Sequence, residues 1–314
     1  MDDIVLDSLE LHNYRGFRHL VVEQLGRVNL IVGKNNVGKT SLLEAIELYV
    51  SQEGSNSSVP VDQVTVRRDE EFPDWRSVQC RGVPAQSPVE IGPHKGIPFD
   101  ADGDIYVRPA KKMLRLWSAH PAWNGSPLVT IHAGGLSTDR LIAFWDKIAV
   151  SIYEEQVINA LRIIEPRVER VAIAVVENGQ RRGKRSPKVR LQGDTFPVAL
   201  RSLGEGMVRL FGLALALVNV PGGVLLVDEI ENGFHYSVQP DVWKLIFYLA
   251  SELNIQVFAT THSQDCVRAF QEAATAHPQV GVLVRLGHRK GDVVASIYDE
   301  EDLTAAVEEA VEVR

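Results

Sequence analysis

The chain has 314 residues, 45% of them apolar, and a net charge of −8. That is enough apolar material for one large buried core, and the negative balance excludes wrapping nucleic acid with the whole surface, so any polyanion contact has to be a local basic patch. Only Cys80 and Cys266 are present, without CxxC or metal-ligand spacing, and the N-terminal "MDDIVLDSLELHNYRGF" lacks the basic and apolar regions of a signal peptide, which points to a reduced, cytoplasmic protein.

In chain order, Ile4 to Leu11 has a strand-like spacing, "NYRGF" turns, and "RVNLIVG" reads as a buried strand that ends in a glycine loop. "SLLEAIELYV" follows with helical spacing, so strand, glycine loop and helix make an α/β nucleotide unit. Residues 51–137 differ in kind: Gly, Pro, Ser and Asp punctuate short β-type runs such as "PVDQVTV", "DIYV" and "PLVTIH", which predicts an inserted antiparallel β lobe. Residues 139–200 begin with one helical pattern from Asp139 to Ile164, ended by Pro166, and continue as two strands joined by a basic turn. Residues 201–314 return to α/β alternation and close with a hairpin and a short acidic helix. The longest apolar stretch, Met207 to Val227, carries Arg209 and Asn219 and is cut by Pro221, so it reads as a buried helix and strand and not as a membrane span. No internal repeat, low-complexity linker or long heptad run is present. The expected fold is α/β: a single domain over 1–314 with a mostly parallel central sheet, its nucleotide unit split around the middle lobe.

Gly33-Lys34-Asn35-Asn36-Val37-Gly38-Lys39-Thr40 matches G-x-x-x-x-G-K-[ST] where the mechanism needs it, after a strand and at a helix start. The glycines let backbone N–H groups close around a β-phosphate, Lys39 reaches the β- and γ-phosphates, Thr40 can hold Mg²⁺, and Ser41 adds a phosphate hydrogen bond. In "GGVLLVDEIENG" the apolar run ends in Asp228-Glu229, so both carboxylates emerge at the C-terminal edge of a strand, where open α/β sheets bind ligands. Asp228 would hold Mg²⁺ and Glu229 would orient or deprotonate the attacking water; a charged strand end alone would mean little without the glycine loop. "FATTHS" puts His262 just past another apolar run, where a neutral imidazole can meet a γ-phosphate, although a lone histidine at a strand end is more often a surface residue. In "LRSLGEGMVRL", Ser202 can cap a helix whose start is left uncovered by Gly204 and Gly206. This is an anion site that a second copy of the chain could offer, or else a plain capped helix.

The order of phosphate loop, "SLGEG", "LLVDEIENG" and "TTHS" resembles the ABC-type ATPases, especially the RecF, SMC and OLD-like branch of AAA family ATPases, over residues 1–50 and 139–314. The resemblance implies ATP and Mg²⁺ as cofactors and an ATP-sandwich dimer that closes on binding and opens on hydrolysis. It makes Arg15 of "NYRGF" a nucleotide contact alongside Gly33, Asn35, Asn36, Gly38, Lys39, Thr40 and Ser41. Asp228 resembles the Walker B aspartate, Glu229 the catalytic glutamate and His262 the switch histidine. Ser202, Gly204, Glu205 and Gly206 resemble the signature that reaches the partner's nucleotide, and Asn232 to His235 the loop that contacts the partner head. Three departures stand out. The signature reads Arg201-Ser202-Leu203-Gly204-Glu205 where the wider class has leucine before the serine and two glycines after it. "TIHAGGLSTDR" occupies the place of a glutamine loop without offering a glutamine. No coiled coil separates the halves, so an SMC-like DNA-clamping arm is not expected, and the chain is too short to continue into the TOPRIM domain of OLD-like nucleases.

The function expected first is therefore an ATPase whose dimer, or higher oligomer, controls a separate effector, a nuclease or a toxin, in phage defence or DNA maintenance. The alternative is a RecF-like DNA-binding repair ATPase, supported by Arg181, Arg182, Lys184, Arg185, Lys188 and Arg190, read as crowding a hairpin tip. A nucleotide subunit of a membrane transporter fits less well, since the glutamine loop is missing and the start is RecF-like. ATP over GTP follows from the resemblance, no NKxD motif being present.

Overall fold

The computed structural model describes residues 4–52, 80, 89–94, 114–116, 126–178, 181–278, 280–298 and 302. Strands β1 (Leu9–Tyr14) and β2 (Phe17–Val22) form a hairpin, β3 (Val28–Val32) leads into the glycine loop, and α1 (Lys39–Gln52) follows. Strands β4 (Val89–Gly92), β5 (Leu114–Leu116) and β6 (Leu128–Ile131) come next, then helices α2 (Thr138–Ile148) and α3 (Ile152–Arg162). Strands β7 (Val168–Asn178), β8 (Arg181–Leu191) and β9 (Val198–Ala199) precede α4 (Glu205–Val218). The chain continues through β10 (Val224–Val227), α5 (Gln239–Glu252), β11 (Gln256–Thr260) and α6 (Gln264–Thr275), and ends in the hairpin β12 (Gly281–Arg289) and β13 (Asp292–Tyr298).

The central sheet has the order β13-β12-β3-β11-β10-β6, all parallel except the edge strand β13. Its strands read as unbroken apolar runs because both faces are covered. Val28, Leu30, Leu225, Val227, Val257 and Ala259 face the core built with α2 to α6. Ile31, Val224, Leu226 and Phe258 face the core shared with α1 and the β1–β2–β4 layer. Each fully buried aliphatic side chain contributes about 1.5–3 kcal/mol relative to exposure, so the alternation holds the two layers on one sheet. Buried Gln256 fastens the N-terminal segment to this sheet, accepting from Leu6 N at 2.9 Å and donating to Leu6 O at 2.7 Å.

The expected α/β fold with its mostly parallel sheet is the observed one. Two local differences have physical causes. The single helix expected over Asp139 to Ile164 is two helices, because Val150 takes φ 65° and Ser151 caps α3 through Tyr153 N. The run "PLVTIH", expected in the antiparallel lobe, is β6, the parallel edge of the central sheet beside β10. Elsewhere in the same stretch of sequence, β4 joins a separate sheet, pairing antiparallel with β1, while β5 runs parallel to β4. Such short apolar runs carry no signal for which sheet they join. "PVDQVTV", "DIYV" and the acidic tail lie outside the described residues.

Candidate functional site

Three connections leave the C-terminal ends of adjacent strands β3, β11 and β10 and converge at one edge of the central sheet. The first is the glycine loop. Gly33 (φ 146°), Asn36 (φ 64°) and Gly38 (φ 109°) turn it through left-handed backbone. A Cβ at Gly33 would lie 2.6 Å from Leu286 O and one at Gly38 2.7 Å from the Phe17 ring, so neither position admits a side chain. Asn35 and Asn36 are exposed at the loop's crest, and Ser41 is buried on the first turn of α1. Lys39 Nζ donates to Gly33 O at 2.7 Å and Lys34 O at 3.2 Å. Burial lowers the Lys39 ammonium pKa, against the opposing pull of Asp228, Glu231 and Glu229. An ammonium held this way beside a glycine loop at a helix start suits a phosphate group.

The second connection follows β10. Thr40 Oγ1 lies 3.3 Å from both carboxylate oxygens of Asp228, so hydroxyl and carboxylate come together from positions 188 residues apart. Oxygen donors of this kind suit a small hard cation that keeps several waters, and Mg²⁺ fits them. Thr260, fully buried at the end of β11, donates to Asp228 Oδ1 at 2.6 Å and accepts from Glu229 N at 2.8 Å. Glu229 itself adopts φ 49°. A non-glycine residue there costs on the order of 1–3 kcal/mol and persists only where its surroundings over-determine it. Asn232 Nδ2 donates to Glu229 Oε2 at 2.7 Å and sets the carboxylate.

The third connection follows β11. His262 is half-exposed, and Glu231 Oε1 accepts from its backbone N at 3.1 Å and pairs with its Nδ1 at 3.1 Å. Behind all of these lies Arg209, buried on α4. Its guanidinium donates to His132 O at 2.7 Å, Asp228 O at 2.9 Å and Glu229 O at 3.1 Å. Burial lowers its pKa, opposed by Asp228, Glu231, Glu229 and Glu205.

Comparisons with known proteins agree with this architecture. Residues 135–265 match the family described as "AAA domain, putative AbiEii toxin, Type IV TA system", and residues 5–78 match the AAA ATPase domain. The DNA replication and repair protein RecF of Clostridioides difficile is 41% identical over 66 residues, 21% of this chain and 17% of that protein. RecF of Rickettsia massiliae is 39% identical over 62 residues, 20% of this chain and 17% of that protein. An uncharacterised protein of Methanocaldococcus jannaschii is 45% identical over 47 residues, 15% of this chain and 22% of that protein. The matched stretch spans about a fifth of the length of these relatives. The fold as a whole superposes on an Smc head bound to the C-winged helix domain of ScpA, with TM-score 0.60 and 14% identity over 96% of this chain and 100% of that one. A Pyrococcus furiosus Smc head bound to the C-terminal domain of ScpA gives 0.59 and 13% over 97% and 99%. The chain carries two stretches that match AAA ATPase family models, and its fold is that of the Smc heads.

Several of the expected site residues have contacts that the linear sequence does not show. Arg15 turns onto α1, where its Nε pairs with Glu44 Oε2 at 2.9 Å and its side chain is only 8% exposed. Ser202 is not the cap of α4: its Oγ donates to Ala199 O at 2.7 Å inside a short 3₁₀ turn, and Gly204 (φ 104°) is the cap residue. Ser202, Gly204 and Glu205 are exposed, and a Cβ at Gly206 would lie 2.6 Å from Gly233 O, which packs the start of α4 against the turn after Glu229. The place of the glutamine loop contributes residues 133–136 to a cavity of about 430 Å³ lined also by Arg201, Glu205, Arg209 and Asn232, and among the described residues no glutamine lines it. By backbone register Arg181 and Arg182 stand at the tip of the β7–β8 hairpin, next to Asn178, and the other basic positions run down β8 from it. Arg185, Lys188 and Arg190 are spread along β8, with Arg185 in a two-pronged pair with Asp146 (2.7 and 2.8 Å) and Arg190 paired with Glu169 at 3.0 Å. The side chains of Arg181, Arg182 and Lys184 lie outside the described residues.

Thr260, Glu231 and, as a partner of Glu229, Asn232 were not expected at this site, Asn232 being expected only in the loop that contacts the partner head; nor was Arg209. "TTHS" and "IENG" carried a signal for the first three, since they flank His262 and Glu229; a lone arginine in an apolar helix carried a signal only as a buried charge needing partners.

Proposed function

We propose that this chain is a Mg²⁺-dependent ATPase that acts as an ATP-sandwich homodimer, and that its cycle controls a separate effector protein, a nuclease or a toxin, in cytoplasmic phage defence or DNA maintenance. The observation that carries the reading is the convergence of the 33–41 loop, Asp228, Glu229 and His262 at one sheet edge, with Thr40 Oγ1 3.3 Å from the Asp228 carboxylate. In this reading the loop amides and Lys39 hold the β- and γ-phosphates of ATP, with Asn35 and Asn36 at the crest. Thr40 and Asp228 would hold Mg²⁺, which when bound neutralises charge developing on the transferred phosphoryl group. Glu229 orients the attacking water and takes its proton, aimed by Asn232 and by the Thr260 bond to its backbone. His262, its Nδ1 on Glu231, turns Nε2 toward the γ-phosphate. The exposed Ser202 to Gly206 segment closes over the nucleotide of a second copy. The family description, a putative toxin of a type IV system, supports a place in a toxin–antitoxin pair, whose other member would be the separate protein.

The test is size-exclusion light scattering of Glu229→Gln, in which the base is removed and the bound state is trapped. With Mg-ATP the mass should double and phosphate release should fall at least ~100-fold; an unchanged monomer mass would sink the sandwich mechanism, and undiminished turnover would sink the role of Glu229. A second reading, a RecF-like DNA-binding repair ATPase, is supported by the matches to RecF. It requires salt-dependent DNA binding that is lost on neutralising the basic positions of β8, and absence of binding at low salt would dismiss it.

A further inference from the structure

The outer face of the β1–β2 hairpin carries a cluster of donors unrelated to the nucleotide edge. His12 on β1 and His19 on β2 are cross-strand partners, and Glu10 precedes His12 by two residues, so strand geometry puts all three side chains on one face. His12 Nε2 lies 3.0 Å and His19 Nε2 2.8 Å from the same oxygen, Glu10 Oε1. The two imidazoles stack with centroids 4.4 Å apart and planes 10° apart. His94, just past β4, brings Nδ1 to 2.9 Å from the other carboxylate oxygen, Glu10 Oε2. The donor atoms of Glu10, His12 and His19 all lie within 4.8 Å of one another.

We infer that Glu10, His12 and His19 form a binding site for a divalent transition metal, Zn²⁺ by the softness of its donors, with His94 holding the second carboxylate oxygen as a positioning residue. Two imidazole nitrogens and one carboxylate oxygen are a recurrent three-ligand set for zinc, with the fourth tetrahedral position left to water or an incoming ligand. Tetrahedral zinc with bonds of about 2.0–2.1 Å separates its donors by about 3.3 Å, and the two nitrogen–oxygen separations, 3.0 and 2.8 Å, lie near that spacing. A carboxylate ligand tethered through its second oxygen is the usual outer-shell arrangement, and the His94 contact supplies it. The Glu10 side chain is only 19% exposed, so its carboxylate is held in place by the three imidazoles around it. The apolar side of the same hairpin reaches the nucleotide edge: the Phe17 ring lies against Gly38, so an ion bridging β1 and β2 would stiffen the support under the glycine loop.

The test uses the untagged full chain without nucleotide, in Mg²⁺-containing buffer, titrated with ZnCl₂ by calorimetry and with CoCl₂ by visible absorption. One equivalent of Zn²⁺ should bind at micromolar affinity or tighter, and Co²⁺ should give tetrahedral d–d bands without thiolate charge transfer, which separates the cluster from the two cysteines. His12→Gln and His19→Gln, with wild-type melting curves in EDTA, should each bind at least ~10-fold more weakly, and His94→Gln ~10–100-fold more weakly. Should either ligand variant fail to fold, Glu10→Gln, which keeps an oxygen acceptor for the imidazoles while removing the charge, carries the same test. No stoichiometric Zn²⁺ binding by the wild-type chain, or undiminished binding by folded cluster variants, overturns the site.

Discussion

At the scale of single residues, the nucleotide edge depends on Thr260 as much as on the residues that show in motifs. Its hydroxyl is at once donor to Asp228 and acceptor for the backbone of Glu229, two carboxylate-bearing residues at the end of one strand. Thr260→Val keeps shape and removes both bonds. Phosphate release measured across a Mg²⁺ titration should show Mg²⁺ dependence displaced ~10–100-fold, the usual cost of losing an outer-shell partner, while Thr260→Ser stays near wild type; identical titrations for the Val variant would show that Asp228 needs no such support. The cysteines make a second prediction. Cys266 is buried, and desolvation pushes its thiol up to about 12, with Glu231 adding to the rise; burial raises Cys80 as well. Thiolates, not thiols, react, so at pH 8 both should resist a disulfide-exchange dye in the native protein, and two equivalents should appear on unfolding in guanidinium. Rapid labelling of the native chain would contradict the packing around them.

At the scale of elements, the break between α2 and α3 shows what periodicity misses. The apolar spacing of residues 139–164 suits one long helix, yet Val150 stands 97% exposed at φ 65°, where a β-branched residue is disfavoured by about 1–2 kcal/mol. The turn survives because Ser151 caps α3 through Tyr153 N and Glu154 Oε2 accepts from Val150 N at 2.7 Å. Val150→Gly removes the steric conflict without touching a core contact, so a stabilisation of about 1 kcal/mol is expected from urea unfolding, net of glycine's greater freedom in the unfolded chain. A destabilised variant would mean that Val150 makes a contact worth more than its strain. The placement of β6 teaches the same lesson at a sheet edge: four residues of apolar spacing say strand, and only the partner β10 says which sheet.

At the scale of the whole molecule, Arg209 joins pieces far apart in sequence. From α4 it bonds the carbonyls at 132, 228 and 229, so the loop after β6 and the turn after β10 share one buried cation. Arg209→Met keeps an extended stem and removes every donor; leaving those carbonyls poorly satisfied should cost about 2–4 kcal/mol of stability, read as a lowered urea midpoint with unchanged slope. A variant as stable as wild type would reduce Arg209 to packing. The dimerisation of Glu229→Gln belongs to this scale too, because the exposed Ser202 to Gly206 segment has a role in the proposed cycle only when a second copy supplies the nucleotide beneath it.

Much of the architecture was legible in the residues. A short β-branched and leucine run bounded by turn residues, such as Val224 to Val227 after Pro221-Gly222-Gly223, reads as a strand covered on both faces, and glycine-rich backbone between a strand and a helix start leaves N–H groups exposed, so a buried sheet and the glycine loop followed from local chemistry. Gly33 and Gly38 were legible for the same reason. What the linear order does not carry is which distant groups meet. The contact of Thr40 with Asp228, the Glu231 bond to His262, the turning of Arg15 onto Glu44 and the gathering of Glu10, His12, His19 and His94 arise from the register and stacking of strands. These are settled by burial of the apolar faces, so the polar side chains are brought together by contacts on the other side of the sheet, in which they take no part.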